Sequence, residues 1–268
     1  MSGRPGISVF FPAYNDGGTI ASMVITALQT LRALTDDYEV IVVHNGSTDY
    51  TSEVLQELAR LYPTELRVLE YPHPLGYGGA LRVGFAEASK DLIFYTDGDG
   101  QYDPHELKDL YEAMRPEVDL VNGYKIERHD PLHRIIIGRV YQFGVKAMFG
   151  LKLRDVDCDF RLMRRRVLEG ISLTQRSGVI CVELMKRIQD AGFTMAEVPV
   201  HHHFRAYGSS QFFNVPRIYR SLRGLAGLWV ELVLLKRLGR TIPPPPDSNA
   251  TIGLAETDPR HHGGATRA

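Results

Sequence analysis

LIFYTDGDGQYDP, residues 92–104, runs from five apolar, aromatic or β-branched residues straight into a loop carrying two aspartates one residue apart. A short run of this kind, closed by turn residues, reads as a buried strand. Asp97 and Asp99 stand at its end, Gly98 and Gly100 allow the backbone to come close, and Gln101 offers another oxygen. Two carboxylates held this near repel each other unless a cation lies between them. Mg²⁺ or Mn²⁺ suits oxygen ligands and leaves coordination positions for a diphosphate. Asp-Gly pairs also mark plain turns, so the metal reading of Asp97, Asp99 and Gln101 depends on what surrounds the loop.

Outward from this loop, short β-branched runs alternate with amphipathic stretches. The runs are ISVFF (7–11), YEVIVV (38–43), LRVLEY (66–71), LIFYT (92–96) and VDLVNG (118–123). Helical periodicity fills 19–34, 51–61, 79–88 and 104–114. Apolar runs without two-residue alternation, separated by helices, predict an α/β fold: a mostly parallel, Rossmann-like sheet with helices on both faces. Ligands of such folds bind beyond the carboxyl ends of the strands. The loops there are PAYND (12–16), HNGSTDYT (44–51), in which Asp49 can cap the next helix, and GYGGALRVG (76–84), a glycine-rich helix opening suited to an anion.

The second half predicts a long amphipathic helix over 131–151, another over 179–192 and a strand at 194–200. From Val215 to Arg240 runs a helix with a leucine-rich stripe and Trp229, and between Arg217 and Arg240 it holds six basic residues against one acid. That pattern fits a peripheral membrane surface or a packed C-terminal helix. The proline block and small polar residues of 241–268 predict a disordered tail. The 31 Lys+Arg offset by 32 Asp+Glu argue against a nucleic-acid partner. Two cysteines make neither a disulfide framework nor a four-cysteine zinc site. With no secretory signal and no apolar run of membrane-spanning length, the expected location is cytoplasmic, at most peripheral on the membrane's cytoplasmic face. His201 to His203 do not suggest zinc, since neighbours in a strand point to opposite faces.

PAYND, NGSTD, GYGGA, DGDGQ, DVDCDFRLMRR (155–165) and EVPVHHHFRAYGSS (197–210) together resemble the family 2 glycosyltransferases of the GT-A fold. The nearest subgroup is the polyprenyl-phosphate sugar synthases of the dolichyl-phosphate mannose synthase type. The resemblance implies a glycosyltransferase domain over 1–212; the amphipathic helix at 213–240 that follows it is either membrane-interfacial or packed on the domain. It implies that Pro12, Ala13, Tyr14 and Asp16 border the nucleotide, and that Asp97, Asp99 and Gln101 hold the metal and diphosphate. His44 and Asn45 stand where the family usually has two acids, and Asn45 can still meet a base through its amide. Lys125 and Arg134 match acceptor-phosphate binders, although Gly138 replaces a common serine, and Asp155 matches an acid near the sugar.

A phosphate acceptor is largely ionised at neutral pH and calls for cations rather than a general base. Lys125, Arg128, Arg134, Arg139 and Arg205 supply them, unless they form only a solvated face. The implied activity is metal-dependent, inverting transfer of a sugar from GDP-mannose or a UDP-hexose to a polyprenyl phosphate. Two alternatives remain open. One is a saccharide or small-molecule hydroxyl acceptor, with Asp155 as base; the other is a non-catalytic nucleotide-binding relative.

Overall fold

The computed structural model describes residues 4–126, 132–208 and 215–238. All five runs become strands: β1 (Ile7–Ala13), β2 (Tyr38–Asn45), β3 (Leu66–Tyr71), β4 (Leu92–Thr96) and β5 (Leu120–Ile126). Between them lie α1 (Ile20–Leu34), α2 (Thr51–Leu61) and α3 (Tyr77–Glu87). The region expected as one helix at 104–114 is a 3-10 turn, Pro104–Glu106, running into α4 (Leu107–Ala113). There the Asp103 carboxylate accepts from the His105 N–H ahead of Pro104. The chain continues through α5 (Leu132–Phe149), β6 (Phe160–Arg164), α6 (Arg165–Glu169), α7 (Ile180–Asp190) and β7 (Met195–His201). It reaches α8 (Val215–Trp229), extended by a π-helical segment, Val230–Leu235. The tail at 241–268 lies outside the described residues.

The strands form one seven-stranded sheet in the order β3-β2-β1-β4-β6-β5-β7. Pairing is parallel except at β6, which runs antiparallel to both β4 and β5. Each central strand is buried on both faces, which is why its residues do not alternate between apolar and polar. Val9, Phe11, Val40, Val42 and Phe94 face one core with α1. Phe10, Ile41, Ile93, Tyr95 and Met163 face the other with α3, α7 and α8. Phe10 sits between Phe85, edge-on at 5.1 Å, and Tyr95, stacked at 5.5 Å. Gly84 lets α3 lie this close to β1, because a Cβ there would stand 2.2 Å from the Phe10 ring.

Sequence reasoning missed β6, because FRLMRR with its arginines looks like surface. Arg161 is in fact fully buried. Its Nε donates to Asn122 Oδ1 at 2.8 Å, and its other nitrogens reach the Tyr95 hydroxyl, the Asp159 carboxylate and the Val156 carbonyl. A buried guanidinium is tolerable only when its donors are met in this way. Arg164 and Arg165 cap backbone carbonyls at the opposite end of the sheet, and Arg166 pairs with Asp119.

Among the described residues, no helix is long and apolar enough to cross a membrane. Helices α5 and α8 nevertheless expose large apolar side chains, among them Val140, Phe143, Tyr219 and Leu222. The Trp229 indole N–H donates to the Met148 carbonyl at 2.9 Å and ties the two helices together.

Candidate functional site

The loops after β1, β2 and β4 open into a cavity of about 590 Å³. Pro12, Ala13, Tyr14, Asp16, Asn45, Asp97 and Asp99 all line it. Seven residues singled out from three separate stretches of sequence thus converge, because parallel strands deliver their carboxyl ends to one edge. Crosslinks hold the loops together: Asn15 Oδ1 accepts from the Thr48 N–H at 2.7 Å, Asp49 accepts from the Gly17 N–H at 3.2 Å, and Thr19 Oγ1 donates to the Gly98 carbonyl at 2.8 Å. Asn15 adopts φ 58°, a left-handed conformation that asparagine accepts more readily than most residues.

The acids of the cavity are uneasy as anions. The Asp16 carboxyl is pushed up from 3.8 to about 7, chiefly by burial; the Tyr14 N–H opposes the shift and nearby Asp99 adds to it. Burial also raises Asp97 well above the usual carboxylate range, reinforced by Asp159 and Asp99, although the Tyr77 hydroxyl donates to it at 2.8 Å. Asp99 is raised by burial too, with the Arg205 guanidinium, its ion-pair partner, pulling the other way. Buried carboxylates this crowded favour an added positive charge, so the donor chemistry suits a divalent cation at Asp97 and Asp99. Among the described residues, no three His, Cys, Asp or Glu side chains gather into a complete ligand shell. Water and substrate phosphate would complete the coordination, as is usual for Mg²⁺.

Other expected site residues are placed differently. Gln101 does not line the cavity, and its Nε2 donates to the His203 carbonyl at 3.2 Å. Asp155 is buried; its carboxylate accepts from Gln142, from the Asp157 N–H at 3.1 Å and from the Lys125 N–H at 3.3 Å, and it does not line the cavity either. Lys125 Nζ donates to the Asp157 carbonyl at 2.7 Å. Burial works to lower the Lys125 pKa, and Asp155 with its acidic neighbours outweighs it, keeping the ammonium charged. The Arg134 side chain and all of Arg128 lie outside the described residues, and Arg139 is exposed on α5. Asn45 Oδ1 accepts from the Leu75 N–H at 2.7 Å, so its amide anchors the β3–α3 loop, while His44 pairs with Glu70. In the glycine-rich opening, the Gly78 N–H donates to the Arg176 carbonyl at 2.9 Å rather than facing an open anion site.

Sequence reasoning missed one wall altogether. Arg176, Ser177 and Gly178, between α6 and α7, line the cavity together with Arg220 and Ser221 of α8. Arg205 was legible as a basic residue of the RAYGSS loop, and among the described residues it is the member of the expected acceptor cluster found in the lining.

The model of glycosyl transferase family 2 matches residues 8–172, which hold β1 from Ser8 onward through β6 and both aspartates of the cavity. The chain belongs to glycosyl transferase family 2. This family 2 glycosyltransferase is 27% identical over 231 residues to the undecaprenyl-phosphate 4-deoxy-4-formamido-L-arabinose transferases of Yersinia pestis (strain Pestoides F) and Yersinia pseudotuberculosis serotype O:3 (strain YPIII). The match covers 85% of this chain, and the chain spans 66% of the length of those curated relatives. Its fold is similar to that of glucosyl-3-phosphoglycerate synthase from Mycobacterium tuberculosis, solved with Mn²⁺ and UDP-glucose. The TM-score is 0.62 at 19% identity, covering 90% of this chain and 80% of that one. The same enzyme solved with Mg²⁺ and UDP aligns at TM-score 0.58 and 22% identity, covering 90% and 81%. The family 2 chain thus has the expected GT-A type of α/β architecture.

Proposed function

We propose that this family 2 glycosyltransferase moves a sugar from a nucleoside diphosphate sugar, GDP-mannose or a UDP-hexose, to a polyprenyl phosphate with inversion at the anomeric carbon. The observation that carries the reading is the single cavity joining Tyr14, Asp16 and Asn45 to Asp97 and Asp99. The first group borders the nucleoside, and the two aspartates hold Mg²⁺ or Mn²⁺. When bound, the cation supplies charge against the departing diphosphate, worth several kcal/mol of barrier. An oxygen of the acceptor phosphate forms the new bond to the anomeric carbon, and the nucleoside diphosphate leaves with the electron pair of the bond that breaks. Because that phosphate is already ionised near neutral pH, the step needs no base.

Asp155, the natural base for a hydroxyl acceptor, is taken up by Gln142, Lys125 and Asp157 outside the cavity, which weighs against a saccharide acceptor. The names of the Yersinia relatives support the lipid phosphate. The exposed apolar side chains of α5 and α8 support peripheral contact with the cytoplasmic face of a membrane, where a polyprenyl acceptor is met. By the family resemblance Lys125 and Arg134 hold the acceptor phosphate, and Gln101 joins Asp97 and Asp99 at the metal and diphosphate site.

The test combines the full chain, Mn²⁺ or Mg²⁺, a panel of sugar nucleotides and a short polyprenyl phosphate. Glycolipid formed with one donor and abolished by chelation is the expected result. No glycolipid with any donor would overturn the proposal.

A further inference from the structure

The glycine-rich opening of α3 suits an anion by its sequence, yet the structure puts it to another use. Gly76 adopts φ 80°, a value that favours glycine. The Gly78 N–H donates to the Arg176 carbonyl at 2.9 Å. A Cβ on Gly76 would stand 2.5 Å from that carbonyl oxygen, and one on Gly78 would stand 2.4 Å from the Gln175 carbonyl oxygen. The loop ahead of α7 therefore lies directly on the helix opening, and a side chain at either glycine would push it away. That loop is itself fixed from behind, because the fully buried Glu183 accepts from the Thr174 N–H at 3.0 Å and the Gln175 N–H at 2.9 Å.

Between the two glycines stands Tyr77, the first residue of α3, so this clamp sets where its side chain begins. The Tyr77 ring packs against the core that holds Tyr95 and Cys181 and lines the cavity, and its hydroxyl donates to Asp97 Oδ1 at 2.8 Å. We propose that Tyr77 is a positioning residue for the metal: its hydroxyl holds one oxygen of Asp97 so that the other, Oδ2, is the one offered to the cation. This rests on the metal reading of Asp97 and Asp99 in the proposed function, and it gives the glycine-rich opening the task of seating that tyrosine.

The terminal torsion of an aspartate is broad, so an unheld Asp97 would present its oxygens over a range of directions. Groups behind a metal ligand fix its orientation and thereby raise affinity for the ion. Asp99 is held from its own loop and from the segment after β7: Oδ1 accepts from the Gln101 N–H at 3.0 Å, and the other oxygen pairs with Arg205. For Asp97 the corresponding bond comes from a different loop, through Tyr77. A phenol suits the task because it donates a hydrogen bond without bringing a positive charge that would compete with the cation.

Tyr77→Phe removes the hydroxyl and keeps the ring. Titration of the full chain with Mn²⁺ alone, followed by electron paramagnetic resonance, should show the ion bound about ten- to a hundredfold more weakly by the variant than by the wild type. Metal-free binding of UDP and of GDP, measured by calorimetry, should be the same in both. Tyr38→Phe loses a bond of the same kind, a tyrosine hydroxyl donating to Glu65 at 2.7 Å, at the opposite end of β2 from the cavity; its Mn²⁺ affinity should match the wild type. Unchanged Mn²⁺ affinity in Tyr77→Phe overturns the inference while the metal reading stands. A loss that falls on the metal-free nucleotides instead makes Tyr77 a substrate contact and overturns the positioning role, as does an equal loss of Mn²⁺ in Tyr38→Phe. A wild type that binds no Mn²⁺ overturns the metal reading itself, and the inference with it.

Discussion

Replacing Asp16 with asparagine removes a carboxyl group that the fold holds at an energetic disadvantage. Asp16 is 5% exposed, and its pKa rises from 3.8 to about 7, mainly through burial, with Asp99 adding repulsion. Well below pH 3.8 the group is protonated whether the chain is folded or not, so it contributes nothing to the pH dependence of stability. As pH climbs toward 7 the unfolded chain gains by ionising while the folded chain keeps its proton, and folding loses stability over that window. Above 7 the loss is complete. A gap of about three pH units, at 1.36 kcal/mol each, amounts to about 4 kcal/mol, a large share of the 5–15 kcal/mol typical of a domain. Asparagine carries no charge, and its carbonyl can still accept the Tyr14 N–H that Asp16 meets at 2.9 Å. Urea denaturation without metal, at pH 4, 5.5 and 8, should therefore show the two proteins close together at pH 4. By pH 8, Asp16→Asn should be the more stable by about 4 kcal/mol. Mn²⁺ with a nucleoside diphosphate should raise the melting temperature of the wild type more than that of the variant, because the cation relieves the same repulsion. Parallel stability curves across the whole range would refute the reasoning.

Asp97→Asn should lower turnover by about a hundred- to ten-thousandfold, the range expected when a metal's support of the leaving group is lost; an unchanged urea midpoint would show that the fold survives. Arg161→Leu strands Asp159, Tyr95 and Asn122 around a lost buried charge, so urea denaturation should register a loss of about 3–5 kcal/mol, and a loss below about 1 kcal/mol would contradict the network. Gly84→Ala forces a methyl group against the Phe10 ring and should cost about 1–3 kcal/mol through overpacking. Combining it with Phe10→Leu should recover part of that cost, and strictly additive losses would argue against direct contact.

Much of this architecture was legible because parallel strands covered on both faces must be apolar throughout, and five such runs announce themselves in the sequence. The loops at their ends were legible for the same reason, since a strand's carboxyl end fixes where Asp16, Asn45 and Asp97 must go. What stayed hidden depends on pairing between distant segments. The partners of Arg161 on other strands, Asn122 and Tyr95, cannot be read from the residues beside it. Arg176 and Arg220 share no motif or period, and their two elements meet at one wall through contacts between distant segments, the buried Glu183 with its partner Arg187 and the close approach at Gly224. Lys125 and Asp155 stood out through the family resemblance, yet they satisfy one another and Asp157 beside the cavity rather than within it.

The reversed strand carries an evolutionary consequence. The chain departs the sheet at Ile126 and re-enters at Phe160, which sits opposite Thr96, while Arg161 stands opposite Asn122. Exit and re-entry are thus clamped on neighbouring strands, with Val156 and Asp159 tied to the sheet by Arg161, so the helical part of the excursion, α5, is the piece whose length is not fixed by the pairing. Insertions or deletions on the exposed face of α5 would leave the strand register behind the two aspartates intact.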